Sequence, residues 1–351
     1  MNAPSTRRRL ERRSALATRW RHAPLCASRG VLNGDLSPHK PQDAVSRYRY
    51  HYHGHSGFVK LAFDCTIAIL WKRKGTACRK VYEFYPWRWS LGCGNHRIWC
   101  PNYTLCLSHT THIFIGENGT IDGQGDEWWN KWKQRTLQFT RPNLVEFVNS
   151  RDIIISNVIF KSSPFWNIHP YSNVVVRYVT ILAPRDSPNT DGIDPHSSSN
   201  VCIEDSYIST GDDLVAEKSG WDEYGIVYGR PSSDITIRRV TGSSPFAGIA
   251  IGSETSGGVE NVLSEHINLY NMGIGIHIKT NTGRAGYIKN ITMSHVYMEE
   301  ARKGIRISGD VGDHPDDKYD PNALPLVKGV TIKNVWGVKV LQAGLIQGLS
   351  S

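Results

Sequence analysis

From Ile113 onward, apolar residues come in short alternating runs, and each run is opened by one small polar residue. The pattern appears as Asp152-Ile-Ile-Ile, Asn173-Val-Val-Val, Asn200-Val-Cys-Ile, Asp234-Ile-Thr-Ile, Asn261-Val-Leu, Asn290-Ile-Thr-Met and Gly329-Val-Thr-Ile. Successive openers are 21, 27, 34, 27, 29 and 39 residues apart. Self-similarity at 20–50 residues marks a stacked repeat. Period-2 alternation with β-branched residues marks strands, and no amphipathic helix of useful length lies between them. Helical repeats and leucine-rich horseshoes are thereby excluded. The predicted fold is all-β: a right-handed parallel β-helix, each coil being two to four short strands joined by turns. An all-β sandwich is the competing architecture. It would need hairpin pairs such as Asn-Gly between alternating runs, and these are nearly absent after residue 120.

The first third of the chain changes the picture. Residues 1–110 hold 19 basic and 5 acidic residues, so the overall charge of +9 conceals a folded part that is net acidic. Six of the seven cysteines also precede residue 110. Seven is odd, so a complete disulfide framework within one chain is impossible. Residues 1–30 are Arg-rich without the apolar core of a secretory signal. No apolar run reaches the ~20 residues of a membrane span. His51, His53 and His55 would share one face of a strand, but Cys93, Cys100 and Cys106 lack the paired spacing of zinc sites. The expected organisation is therefore an unassigned basic segment over 1–112, disordered or non-native, and a β-helix domain over 113–351. No metal, other cofactor or nucleic acid is expected for the domain. A nucleic-acid arm in 1–110 would announce itself by salt-dependent binding.

The chemistry concentrates between Ser187 and Gly220. Asp191 lies 18 residues after the opener Asn173, while Asp212 and Asp213 lie 12 and 13 after Asn200. Ala247 lies 13 after Asp234, and His277 and Lys279 lie 16 and 18 after Asn261. If coils stack in register, these positions form one column on one face. Two carboxyl groups on such a scaffold suit hydrolysis of a glycosidic bond, one protonating the leaving oxygen and the other activating water. Asp212 is the expected acid, its pKa raised by its neighbours and by burial. Asp213 and Asp191 are the expected bases. Lys279 would pair with an anionic group of the substrate, and His277 would assist when charged. The same acids could instead cap turns, as Asn and Asp do in β-helices.

At these residues the chain resembles a known family. Asn189-Thr-Asp191, Gly211-Asp-Asp213 and Ile278-Lys279 are similar, in order, to motifs of the glycoside hydrolases that include polygalacturonases. Gly119-Thr-Ile-Asp-Gly-Gln-Gly125, Trp128-Trp129, Ser163-Pro-Phe-Trp166, Ile251-Gly-Ser253 and Gly283-Arg-Ala-Gly-Tyr287 extend the match over about 113–351. The plant polygalacturonase-like branch is the nearest in character. The resemblance implies a right-handed β-helix and inverting hydrolysis of α-1,4-galacturonosyl links in pectin. It also implies no metal, a monomer, and secretion to the cell wall. It makes Asp212 the proton donor and Asp191 and Asp213 the water activators, with Asn189, His277 and Lys279 binding substrate.

The departures set further expectations. Relatives usually have Gly-His-Gly where this chain has Phe246-Ala247-Gly248, and Arg-Ile-Lys where it has His277-Ile278-Lys279. Reduced activity is therefore expected, with a catalytically dead pectin-binding β-helix as the alternative. His196 stands where relatives tend to carry an acid. Glu217 interrupts an apolar strand on the side of Val215, so a core-facing charge is expected there. The family's early coils, its signal peptide and its last coils are not recognisable, so a β-helix incomplete at both ends is expected. Sequons occur at Asn118-Gly-Thr and Asn290-Ile-Thr.

Overall fold

The structure, a computed structural model, describes residues 59–62, 88–93, 96–101, 105–108, 111–116 and 118–348. Contacts divide the chain into two units, 1–50 and 51–351, and all described residues lie in the second. Residues 1–58, including His51, His53 and His55, are outside the described part.

The coils have three faces, each a ladder of parallel strands. Face A stacks Thr111–Gly116, Arg151–Ser156, Ser172–Arg177 and then segments 199–204, 232–238, 259–265, 287–294 and 326–333. Face B stacks Gly119–Asp122, Val158–Lys161, Thr180–Leu182 and then 206–209, 241–242, 267–270, 296–299 and 335–338. Face C stacks Leu105–Ser108, Val145–Val148 and Ile168–His169, then Ile193, Val215–Glu217, Ala247–Ile251 and segments 274–279, 303–308 and 342–347. Leu105–Ser108 continues this ladder ahead of residue 113. Four apolar-polar residues are too short a run to reveal this without their partner.

The recurring polar opener has a conformational cause. Asp152, Asn173, Asn200, Asp234, Asn261 and Asn290 all have φ between 51° and 60°, and Gly329 has φ 68°. Each coil turns its corner onto face A through a left-handed residue, which Asn, Asp and Gly adopt most readily. Their side chains also link the coils. Asn173 donates to Asp152 at 3.0 Å, Asn200 to Asn173 at 2.9 Å, Asn261 to Asp234 at 3.0 Å and Asn290 to Asn261 at 2.7 Å. The Asn290 amide of the second sequon is thus built into this ladder.

Inward positions of the three faces fill the interior. Ile155, Val176, Ile203 and Ile237 come from face A; Phe160, Ile181, Ile208 and Val240 from face B; Phe147, Ile168, Ile193, Val215 and Ile249 from face C, all at most 2% exposed. Burying one such side chain stabilises by about 1.5–3 kcal/mol. The helix α1 (Asp126–Lys133) buries Trp128 and Trp129 against the stack, and Trp129 Nε1 donates to the Ser163 carbonyl at 3.1 Å. A second helix, α2 (Asp222–Tyr228), leaves the end of Val215–Glu217. Among the described residues, no helix is long and apolar enough to cross a membrane.

Candidate active site

Face C carries a cleft of about 1700 Å³. It follows the stack from Glu146 to Arg306, seven rungs. At ~4.8 Å per rung that is roughly 30 Å, room for several sugars of a polymer. Asp191 and Asp213 enter the cleft from the turns just before their strands. Ile193 pairs with Val215 and Val215 with Ile249, so Asp191, Asp213 and Ala247 occupy the same level on successive rungs. The Gly192 amide donates to the Asp213 carbonyl, and the Ala247 amide to Asp213 Oδ1 at 2.8 Å. Gly211 allows the turn, since a Cβ there would lie 2.0 Å from the Ser187 carbonyl oxygen. One oxygen from each of Asp191, Asp212 and Asp213 lies within 4.8 Å of the others. The expected convergence of acids 22 residues apart is therefore present.

His277 and Lys279 stand off that level. Ala247 pairs with Ile274, and His277 pairs with Ala250. Lys279 nonetheless reaches back, its Nζ 2.6 Å from Asp213 Oδ2. Lysine is long enough to span the offset; histidine is not. His277 is buried instead, with Nε2 3.3 Å from Ser308 Oγ. Burial, then the charge of Lys279, lowers its pKa to about 4. A charged His277 would therefore require pH below about 4. Asn189 also differs from a free substrate-binding donor. Its Oδ1 accepts from Arg141 at 2.6 Å, and its Nδ2 approaches Asp212 Oδ2 at 3.4 Å.

The three acids have unlike surroundings. Burial, then Asp191 and Asp213, push the Asp212 carboxyl well above the usual carboxylate range. Asp213 is more deeply buried, which opposes ionisation, yet the Lys279 charge and hydrogen bond hold it below that range. One neutral acid and one carboxylate thus stand side by side. Asp191 pairs with Lys218 at 2.9 Å, and Lys218 also binds Asp194 and lies 3.8 Å over the Trp166 ring. Burial opposes the charge on Lys218, but Asp191 and Asp194 more than restore it and raise its pKa. Three clustered carboxyl groups could attract a cation, but here Lys218 and Lys279 already neutralise two of them.

Lys218 and Arg141 escape sequence reasoning. Lys218 follows the misfit Glu217, where alternation turns it away from the core, and it pairs with His196 on the preceding rung. Its place beside Asp191 and Asp194 is readable only once the register is known. Arg141 lies in a segment without period. His196 is half-buried beside Lys218, stacks on His169 at 5.3 Å, and is kept neutral by loss of hydration, by His169 and by Lys218.

A parallel β-helix with three converging carboxyl groups in a long open cleft is what the fold and the site define. Residues 98–343 match the family described as glycosyl hydrolases family 28, and the chain belongs to it. It is 47% identical over 245 residues to a probable polygalacturonase of Vitis vinifera, covering 69% of this chain and 50% of that one. It is 32% identical over 244 residues to an endo-polygalacturonase of Pectobacterium carotovorum subsp. carotovorum, covering 66% and 58%. The solved polygalacturonase of Erwinia carotovora ssp. carotovora superposes with a TM-score of 0.55 at 27% identity, over 70% of this chain and 71% of that one. The chain spans about half the length of the plant relatives it matches.

Proposed function

We propose that this chain hydrolyses α-1,4-galacturonosyl links of pectin at the Asp191–Asp212–Asp213 cluster and acts in the cell wall. The convergence of the three carboxyl groups, one neutral and one ionised, carries the reading. Asp212 protonates the glycosidic oxygen as the bond breaks. Asp213 and Asp191 orient a water and accept its proton. Lys218 pairs with Asp191 and Lys279 with Asp213, and both lysines offset the acids' repulsion of an anionic polymer. Asn189, fixed by Arg141, positions Asp212. Polygalacturonate is the substrate because the cleft offers cations beyond those engaged by the acids. With Ala247 and His277 where relatives carry His and Arg, turnover is reduced.

Reducing-end release from polygalacturonate tests this. Asp212→Asn should lower the rate by about 10²–10⁴-fold, the span of general acid catalysis. Equal release by the two proteins would leave only a pectin-binding β-helix. The closest oxygens approach more nearly than the roughly 6.5–9.5 Å between carboxyls of most inverting enzymes. Proton NMR of the first product therefore decides the stereochemistry: a β anomer supports inversion, and an α anomer rejects it.

A further inference from the structure

The cleft differs in charge on the two sides of its carboxylates. Towards the C-terminal coils it is floored by Lys303, opposite Ile274, and Arg306, opposite His277. Among the described residues the Lys303 side chain has no hydrogen bond or ion pair. Arg306 Nε is buried without a partner, and its guanidinium comes no nearer than 4.0 Å to Asp310. These two cations are available to a ligand.

Towards the N-terminal coils the walls are aromatic. Trp132 and Phe139 are 46% and 56% exposed and line the cleft with Phe165 and Trp166. Every cation there is engaged. The Arg141 guanidinium packs against Trp132 and Phe165, and donates to the carbonyls of Pro164 and Pro188 and to Asn189. Lys218 is held by Asp191 and Asp194 over Trp166. His169 faces Glu146 at 3.7 Å, and His196 is half-buried and stacks on His169. A free uronate here would lose hydration against rings without gaining a counter-charge. An uncharged pyranose would lay its C–H face on the same rings.

We propose that the cleft is divided by ester state: the Lys303–Arg306 half takes galacturonate with a free carboxylate, and the Trp132–Phe139–Phe165 half takes methyl-esterified galacturonate. The protein then cuts where esterified and unesterified stretches of pectin meet. This rests on the pectic substrate proposed above.

Calorimetry on the full-length Asp212→Asn protein separates the two ideas, because it reads binding without turnover. The probes are oligogalacturonides that are fully unesterified, fully methyl-esterified, or esterified in one half only, plus an oligomer of alternating rhamnose and galacturonate. The half-esterified oligomer should bind at least tenfold more tightly than any other. Adding Phe139→Arg at the exposed ring should abolish that preference and favour the unesterified oligomer. Adding Lys303→Ala should weaken the half-esterified and unesterified oligomers but not the fully esterified one. Tightest binding of the unesterified or the alternating oligomer, or an unchanged order in the Phe139→Arg protein, would overturn the division. If the wild-type chain fails to cleave but this order holds, hydrolysis is lost and the division stands.

Discussion

Among the described residues, Glu217 is the fully buried acid with no partner for either carboxyl oxygen. It pairs in register with Ile251 inside the stack. Burial raises its pKa from 4.5 to about 8. The folded chain therefore holds a proton that the unfolded chain releases above pH ~4.5. Stability is then undiminished below that pH and falls, by a few kcal/mol, as pH rises towards 8. Thermal melts of Glu217→Ile should be higher than wild type at pH 8 and nearly free of this slope; an equal or lower melting point there would contradict the argument. Alternation after Val215 was enough to foresee this orientation. It was not enough to foresee a neutral His277 or an engaged Lys218, because burial and partners come from other rungs. Asp191, Asp212 and Asp213 were legible because they crowd into the stretch from Ser187 to Gly220 and sit in motifs similar to the family's, whereas Arg141 and Lys303 carry no such mark.

Among elements, the corners explain both what the pattern disclosed and what it hid. The face A corner repeats Asn or Asp, so it was visible. The corner between faces A and B is also left-handed, at Asn157, Tyr178, Asp205, Arg239, His266, His295 and Asn334. Its residue types vary, and it left no pattern to follow. Contacts specific to each coil offset its strain instead. Arg239 forks onto Asp205 at 2.6 and 2.8 Å, and His266 stacks on His295 at 4.7 Å. The uniform corner should therefore be the more sensitive to a generic change. Asn261→Ala removes hydrogen bonds to Asp234 and from Asn290 at a φ of 55°. It should cost roughly 1–3 kcal/mol in urea unfolding, and Asn261→Gly should cost less, since only the ladder is lost.

On the scale of the whole molecule, three separate loops are held by one buried cation. Arg284 is fully buried and pairs with Asp222 at the start of α2. It also donates to the carbonyls of Ser253 and Asp313 at 2.9 and 2.7 Å. His314 adds a contact to the same Asp222 at 2.8 Å. Arg284→Met should strand Asp222 and destabilise by about 3–5 kcal/mol, read by denaturant midpoint. The resemblance identified the motif around Arg284, but its loop partners are 31 and 62 residues earlier and 29 later. Coil stacking, by contrast, was legible at this scale because every rung repeats the same local grammar. That architecture gives the Glu217 rung a particular meaning. The strands of each coil pair only with those of the coils before and after it, so beyond the Arg284 clamp little reroutes a load around a weak one. In alkali, the rod should give way at its middle first, parting into two shorter stacks before either of them melts.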